Sequence, residues 1–402
     1  MADGVRFKLT NRQRPISLDG YREAARRALP EMIWAYVDGG AETMTTVRDN
    51  RSAFGRWRLR QRALVGPNPC ETGVSLHGTA LAMPVALAPT GLTGLVHWQG
   101  DVGAARAAEA HGTRLILSGC SSYSIEEVAG ATKESHWFQL YPFSRRDLTE
   151  STIDRARRSG YGALVVTIDV PVPGNREGER LLGLGVPPVM TPGRSVAVAM
   201  HPRWAYGFLR HRRMSLRNLT DSAGFRAGTR STRTFLRMVS DANTDWDDLA
   251  WIREQWDGPL YVKGILDAED SLRAVEAGVD GIVVSNHGGR QLDFAPSSLD
   301  ALPPIAAAVG ERATVILDGG VRRGTDVVKA LCLGADACLI GRPLMYGLAV
   351  DGQAGVSRVL EIIKEELDRT MHLIGCKSVR DLDPSWLIES AGGDHDLAGL
   401  LG

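Results

Sequence analysis

Eight short apolar runs, most of them closed by a polar residue or glycine, recur along this chain with helical stretches between them. They are Val85–Pro89, Arg114–Ser118, Trp137–Tyr141, Ala163–Asp169, Leu260–Gly264, Gly281–Asn286, Thr314–Asp318 and Ala337–Gly341. Near-continuous apolar runs of this length suit strands buried on both faces. Ala-rich stretches such as Val102–Ala110 and Asp267–Ala277 have helical character. Eight β-α units predict an α/β fold, a (β/α)8 TIM barrel whose polar strand ends converge on one rim. An open doubly wound sheet is the other arrangement of such units. The similar unit lengths, and the lack of a GxGxxG after the first strand, favour the barrel.

The spacing breaks once. The fourth run ends near Asp169 and the fifth begins near Leu260, far beyond the reach of a βα connection, so an insertion of about 188–245 is expected after strand four. Before the barrel, Ser17-Leu18-Asp19 supplies a cap, Tyr21 to Ala35 has helical spacing, Pro30 divides it, and Asp38-Gly39-Gly40 ends it. This predicts one domain over 1–402, with an N-terminal helical extension, the barrel at about 80–375 and a peripheral tail after Asp383.

Composition excludes several classes. With 44% apolar and 23% charged residues, dominant disorder is excluded. Basic and acidic residues number 47 each, which rules out a globally basic surface for nucleic acid. Cys70, Cys120, Cys332, Cys338 and Cys376 contain no CxxC pair. No disulfide framework or metal site is expected, and the reading is a reducing, cytoplasmic setting. Neither a signal peptide nor a membrane-spanning helix is expected, since the needed apolar stretches do not occur.

The chemistry gathers after the later strands. Ser285-Asn286-His287-Gly288-Gly289-Arg290-Gln291-Leu292-Asp293 follows strand six. A His at a barrel strand end suits acid–base work near neutral pH, and Arg290 can grip a carboxylate. Asp318-Gly319-Gly320-Val321-Arg322-Arg323-Gly324 and Gly341-Arg342-Pro343 follow strands seven and eight. Glycines there expose backbone N–H groups to an anion, the usual barrel position for phosphate. Lys263, ending strand five, is costly to bury unless it faces an anion or developing negative charge.

These three motifs together resemble the FMN-dependent α-hydroxy-acid oxidase and dehydrogenase family, over about Leu18 to Leu382. The resemblance implies FMN as cofactor and His287 as the base, with Asp169 as its partner. It implies Arg176, in Gly174-Asn175-Arg176-Glu177, and Arg290 as carboxylate ligands, and Tyr36 and Tyr141 as substrate contacts. Flavin contacts would be Pro89, Thr90, Gly91, Ser118, Gln139, Thr167, Lys263 and Ser285. The phosphate cradle would be Asp318, Gly320, Arg322, Gly341 and Arg342. His287 would take a proton while two electrons pass to the flavin, by a carbanion or a hydride route. Asp169 would orient and stabilise its imidazolium, and Lys263 would offset negative charge at the flavin.

The resemblance is greatest to the bacterial (S)-mandelate dehydrogenases, which share Leu-Pro-x-Met at Leu29, Pro-Thr-Gly-Leu at Pro89 and His-Pro-Arg-Trp at His201. Gly91 stands where small-acid oxidases carry Ala, and Cys120 where glycolate oxidase carries Trp. Both open space for an aryl ring, so (S)-mandelate is the expected substrate. Trp34 and Pro171-Val172-Pro173 depart from relatives. Lactate dehydrogenase, oxidase or monooxygenase activity, or oxidation of a peptide-derived precursor, are the alternatives. The insertion carries ten Arg and one acid, Asp221, between Thr191 and Ser240, interleaved with Trp204, Tyr206, Phe208, Phe225 and Phe235. That pattern suits an anionic membrane surface, and the matching segment of mandelate dehydrogenase docks to the membrane. A solvated loop, or a lid and subunit contact, are the other readings. The implied partners are a quinone or O2 as electron acceptor, the cytoplasmic membrane face, no nucleic acid, and further copies of the chain in a tetramer.

Overall fold

A computed structural model describes residues 14–65, 69–184, 189–218, 237–239 and 241–390. The chain opens with α1 (Leu18–Ala28), α2 (Glu31–Asp38) and α3 (Thr45–Ser52). Ser17 caps α1 by accepting from Gly20 N, and Pro30 divides α1 from α2, as expected. A short strand β1 (Trp57–Leu59) and the hairpin β2 (Val74–Leu76) and β3 (Thr79–Leu81) lead into the barrel.

All eight runs become strands: β4 (Val85–Leu87), β5 (Ile116–Ser118), β6 (Trp137–Leu140), β7 (Ala163–Thr167), β8 (Leu260–Ile265), β9 (Gly281–Ser285), β10 (Thr314–Asp318) and β11 (Ala337–Ile340). Their ladders run parallel from β5 through β11 to β4. A parallel bridge between Leu87 and Leu115 closes β4 onto β5. Pro89, Tyr141, Asp169, Asn286 and Gly341 fall just past their strands. Ladder pairing has ended there, and Pro89, Tyr141 and Gly341 line the cavity at that end.

The barrel interior is packed. Ile116, Trp137, Val165, Tyr261, Val283, Ile316 and Leu339 form one buried cluster with small Ala86, Ala163 and Ala337. Trp137 and Tyr261 stack at 4.9 Å, and the small residues give them room. Leu76 and Leu81 of the hairpin join this cluster.

Helices α4 (Gly100–Ala110), α5 (Ile125–Ala129) and α6 (Arg146–Arg158) follow the first three barrel strands. After β7 come α7 (Glu177–Leu181), α8 (Pro192–Ala199) and α9 (Pro202–His211), before the helix Trp246–Gln255 that precedes β8. Neither α8 nor α9 has a buried residue. The segment is pinned beside the mouth by Trp204 Nε1, which donates to the Leu95 carbonyl at 2.7 Å, by a 2.8 Å Arg213–Glu127 ion pair and by His211 stacked on Trp98. Pro188, Asp221, Phe225, Arg226, Arg230, Arg233, Phe235 and Ser240 lie outside the described residues.

The N-terminal extension is bolted to the loop after β9. Asn50 and Asn286 exchange two amide hydrogen bonds of 2.8 Å, and Asp293 accepts from the backbone N–H groups of Thr43 and Thr46. Removing one amide leaves its buried partner unsatisfied, at about 1–3 kcal/mol. Asn50→Ala should lower stability by that amount, read as a reduced urea midpoint; an unchanged midpoint would contradict this account of the joint.

Candidate active site

A cavity with about 1440 Å³ of empty space, its open mouth included, lies at the carboxyl ends of the strands. Its wall includes Tyr36, Tyr141, Arg176, Lys263, His287 and Arg290.

His287 follows β9 in the left-handed region, with φ +56°. That conformation is uncommon outside glycine and is held here by its own N–H donating to Ser285 Oγ at 3.0 Å. His287 Nδ1 lies 2.9 Å from Asp169 Oδ1. With Nδ1 so engaged, Nε2 is the nitrogen left for a substrate proton. Burial pushes the Asp169 carboxyl up, but the charge and hydrogen bond of His287, with Lys263 nearby, outweigh it and hold its pKa below the usual range.

Arg290 is firmly seated. Its Nη1 donates to the carbonyls of Tyr36 and Gly39, and its Nη2 lies 2.9 Å from Glu179 Oε1. Burial lowers the Arg176 pKa, and the like charge of Arg290 adds to the effect. The Tyr36 hydroxyl donates to the Gly91 carbonyl at 2.8 Å, and burial pushes its pKa up to about 12. Burial also raises Tyr141 well above the ordinary phenol value and the Cys120 thiol to about 12. Cys120 therefore stays a neutral, space-setting residue rather than a nucleophile.

Below the mouth, Lys263 Nζ lies 2.7 Å from both Ser285 Oγ and Asp318 Oδ2, and Ser285 donates to the same Asp318 oxygen at 2.8 Å. Burial opposes the Lys263 charge, yet the Asp318 and Asp169 carboxylates win and raise its pKa. The carboxylate of Asp318, grouped with the phosphate cradle in the sequence reading, is thus turned to Lys263. Ser118, Gln139 and Ser285 stand behind the cavity wall, with Gln139 Oε1 accepting from Ser118 Oγ and Gly119 N.

Among the described residues, the buried polar atoms near this cavity without a protein partner include Thr90 Oγ1, Gln139 Nε2, Thr167 Oγ1, Asp169 Oδ2, Arg322 Nε and Arg342 Nε. Each such atom costs about 1–3 kcal/mol unless a ligand satisfies it. Thr90, Gln139 and Thr167 belong to β4, β6 and β7 or the turns after them, and Arg322 and Arg342 follow β10 and β11. Gly341 begins the helix Arg342–Ile374, whose N-terminus favours an anion. A Cβ on Gly320, at φ +81°, would collide with the Asn50 carbonyl, so only glycine lets the cradle backbone lie there. These residues fit FMN.

Sequence reasoning missed several contributors. Glu179 is one, although it sits three residues after Arg176. Leu216 and Val239, on the cavity wall, come from the Arg-rich insertion, where single apolar residues carry no periodic signal. Asp101 is another. Its Oδ2 accepts from Thr93 at 2.7 Å and from Ser121 at 2.6 Å, tying the loop of Gly91 to the loop of Cys120.

A His–Asp pair, two partly buried guanidiniums and a cavity that fits FMN together define the site of a flavin-dependent oxidoreductase. The chain matches the family described as FMN-dependent dehydrogenase over residues 25–389. An L-lactate dehydrogenase of Pseudomonas putida (strain GB-1) is 44% identical over 374 residues, spanning 92% of this chain and 98% of that protein. A crystal structure of the monotopic membrane protein (S)-mandelate dehydrogenase superposes with TM-score 0.91 at 37% identity, covering 94% of this chain and 100% of that one. A mandelate oxidase with (S)-2-phenylpropionate gives TM-score 0.78 at 34% identity, over 94% and 99% of the two chains. The chain belongs to this FMN-dependent family of 2-hydroxy-acid dehydrogenases and oxidases.

Burial raises the Asp101 pKa to about 6, against the hydrogen bonds from Ser121 and Thr93. A carboxyl raised on folding contributes stability below its unfolded value near 3.9 and loses it as pH rises through the folded one. Relative to the parent, Asp101→Asn should therefore gain stability as pH rises from about 4 to about 6. Thermal unfolding across that range checks this, and a pH-independent difference would refute it.

Proposed function

We propose that this protein oxidises an (S)-2-hydroxy acid with an aryl side chain, mandelate first, to the 2-oxo acid. The observation that carries the reading is one cavity wall bearing the His287–Asp169 pair together with Arg176 and Arg290. The two arginines anchor the substrate carboxylate and fix the α-carbon against the imidazole. His287 accepts the substrate proton at Nε2, and Asp169 stabilises the imidazolium that results. Lys263 places a fixed positive charge on the cavity wall, where negative charge grows. Bound FMN supplies the two-electron acceptor, held by Thr90, Gln139, Thr167, Arg322 and Arg342.

The side-chain end of the cavity supports the aryl choice. Leu92, Val170, Leu216 and Val239 wall it with apolar surface, beside Gly91 and Cys120. Burying a phenyl group there is worth about 1.5–3 kcal/mol, against about 0.8 kcal/mol for a single CH2-sized group. A Cβ on Gly91 would stand 2.9 Å from that of Cys120, so Gly91→Ala would fill the same space. Lactate is the second reading, favoured by the relatives named L-lactate dehydrogenase.

The electron acceptor in this proposal is a quinone, reached from the cytoplasmic face of an anionic membrane. Among the described residues no helix is long and apolar enough to cross a membrane. The insertion instead exposes Val196, Met200, Tyr206 and Leu209 on α8 and α9, with Arg203, Arg210 and Arg212 alongside. Exposed apolar side chains beside arginines suit docking on anionic lipid. The mandelate dehydrogenase neighbour is described as a monotopic membrane protein.

Anaerobic mixing with (S)-mandelate should bleach the flavin band faster than equal lactate, and His287→Ala should cut that rate at least about 100-fold while FMN stays bound. A yellow protein that no free hydroxy acid bleaches would overturn the substrate class and leave a peptide-derived substrate to be tried. Steady-state peroxide release in the absence of a dye acceptor would overturn the quinone. Reversing Arg203, Arg210 and Arg212 to Glu should weaken binding to phosphatidylserine vesicles about 100-fold or more, at about 1 kcal/mol per basic residue. Equal vesicle binding by parent and variant would discard the membrane reading.

A further inference from the structure

We propose that Glu179 is a resident carboxylate that neutralises half of the arginine clamp and so restricts the substrate site to monoanions. The inference rests on the reading of Arg176 and Arg290 as that clamp. Glu179 lies on α7, three residues after Arg176, with its side chain 11% exposed. A single oxygen, Oε1, lies 2.9 Å from Arg290 Nη2 and 3.9 Å from Arg176 Nη1. Arg290 and Arg176 both line the cavity, whereas Glu179 does not. It therefore holds the guanidiniums from the side away from the substrate.

Two partly buried guanidiniums repel one another, and that repulsion already contributes to the lowered pKa of Arg176. One shared carboxylate leaves the group with a single net positive charge. A monocarboxylate neutralises that charge, and a second acid group on the ligand meets none. Glu179 also fixes the Arg290 fork, with the carbonyls of Tyr36 and Gly39 as the other supports. It is a positioning residue with an electrostatic consequence, because it touches neither substrate nor cofactor.

A residue that only orients Arg290 and one that sets the clamp's charge behave differently when the charge alone is removed. Glu179→Gln keeps an acceptor oxygen near Arg290 and deletes the negative charge. In the FMN-loaded protein, acetate and malonate binding can each be titrated through the flavin absorption band. The malonate-to-acetate affinity ratio should rise about tenfold in Glu179→Gln, because the dianion gains most from the extra positive charge. Glu179→Asp, which keeps the charge, should hold the parent ratio within about twofold. A ratio unchanged in Glu179→Gln, or a fall in affinity equal for both anions, overturns the proposal and leaves the clamp reading intact. If the parent binds neither anion, the clamp reading itself falls, and this inference with it. Should the Gln variant lose its flavin, Glu179→Ser carries the same comparison.

Discussion

The hydrogen bond between Asp169 and His287 joins residues that follow β7 and β9, two strands separated by β8. Alternate strands of a barrel point side chains into a shared layer, and here the two meet at 2.9 Å. Between them, β8 is irregular at Gly264. Its ladder with β9 shifts register between Lys263 and Ile265, and Gly264 takes φ +114°. A Cβ on Gly264 would press into the Asp169 side chain. The bulge thus clears a path over the strand for the carboxylate, and it leaves Lys263 directed at Ser285 and Asp318. One glycine-permitted irregularity positions both the base pair and the buried ammonium beneath it.

Charge in the cavity follows a division of labour. Cations that belong to the scaffold's own geometry are met by acids: Lys263 by Asp318, and Arg290 by Glu179. At the cradle, Arg342 bonds to the carbonyls of Gly288 and Gly39, and Arg322 to that of Val321. Carbonyls orient a guanidinium without cancelling its charge. Burial lowers the Arg342 pKa to about 10, with neighbouring arginines adding to the effect, and at neutral pH it still carries its proton. The positive charge left over is therefore concentrated at Arg322 and Arg342, the arrangement that suits an anion site rather than a merely stable one.

The legible and illegible parts of this site differ for a physical reason. Barrel strands are buried on both faces, so they write themselves as apolar runs, and whatever follows each run stands at the mouth. Lys263, His287, Asp318 and Gly341 were legible on that rule alone. Arg176 and Tyr36, in a loop and a helix, carry no such marker, and the roles of Asp169 and of strand residues such as Ser118, Gln139 and Thr167 were legible only through the family resemblance. Contacts bridging long separations left no trace. Asn50 meets Asn286 across 236 residues, and neither residue is unusual in its own neighbourhood. Glu179 reads as one more acid on a short helix until its partner's position is known. The runs ending at Pro89, Tyr141, Asp169, Asn286 and Gly341 overrun their strands by one or two residues, since side-chain polarity changes later than ladder pairing stops, whereas β8 runs one residue past Gly264.

The insertion between β7 and β8 does two jobs that the barrel itself cannot. Its outer helices carry no buried residue, while its inner positions Leu216 and Val239 complete the wall around the side-chain end of the cavity. Leu216 and Val239 pack with Leu148 and Met238, and against Leu92, Cys120, Tyr141, Phe143 and Val170. That cluster is separate from the main core, so its side chains can change without disturbing barrel packing. Residues that line the mouth from strands are constrained by strand register and by the layer below, whereas those on a loop held by a few anchors are not. The anchors are Trp204, Arg213 and His211, and each grips a part of the β4 or β5 loops rather than the cavity. The apolar cavity wall of Leu216 and Val239 and the exposed helices α8 and α9 therefore belong to one segment, whereas the His287–Asp169 pair stays with the barrel.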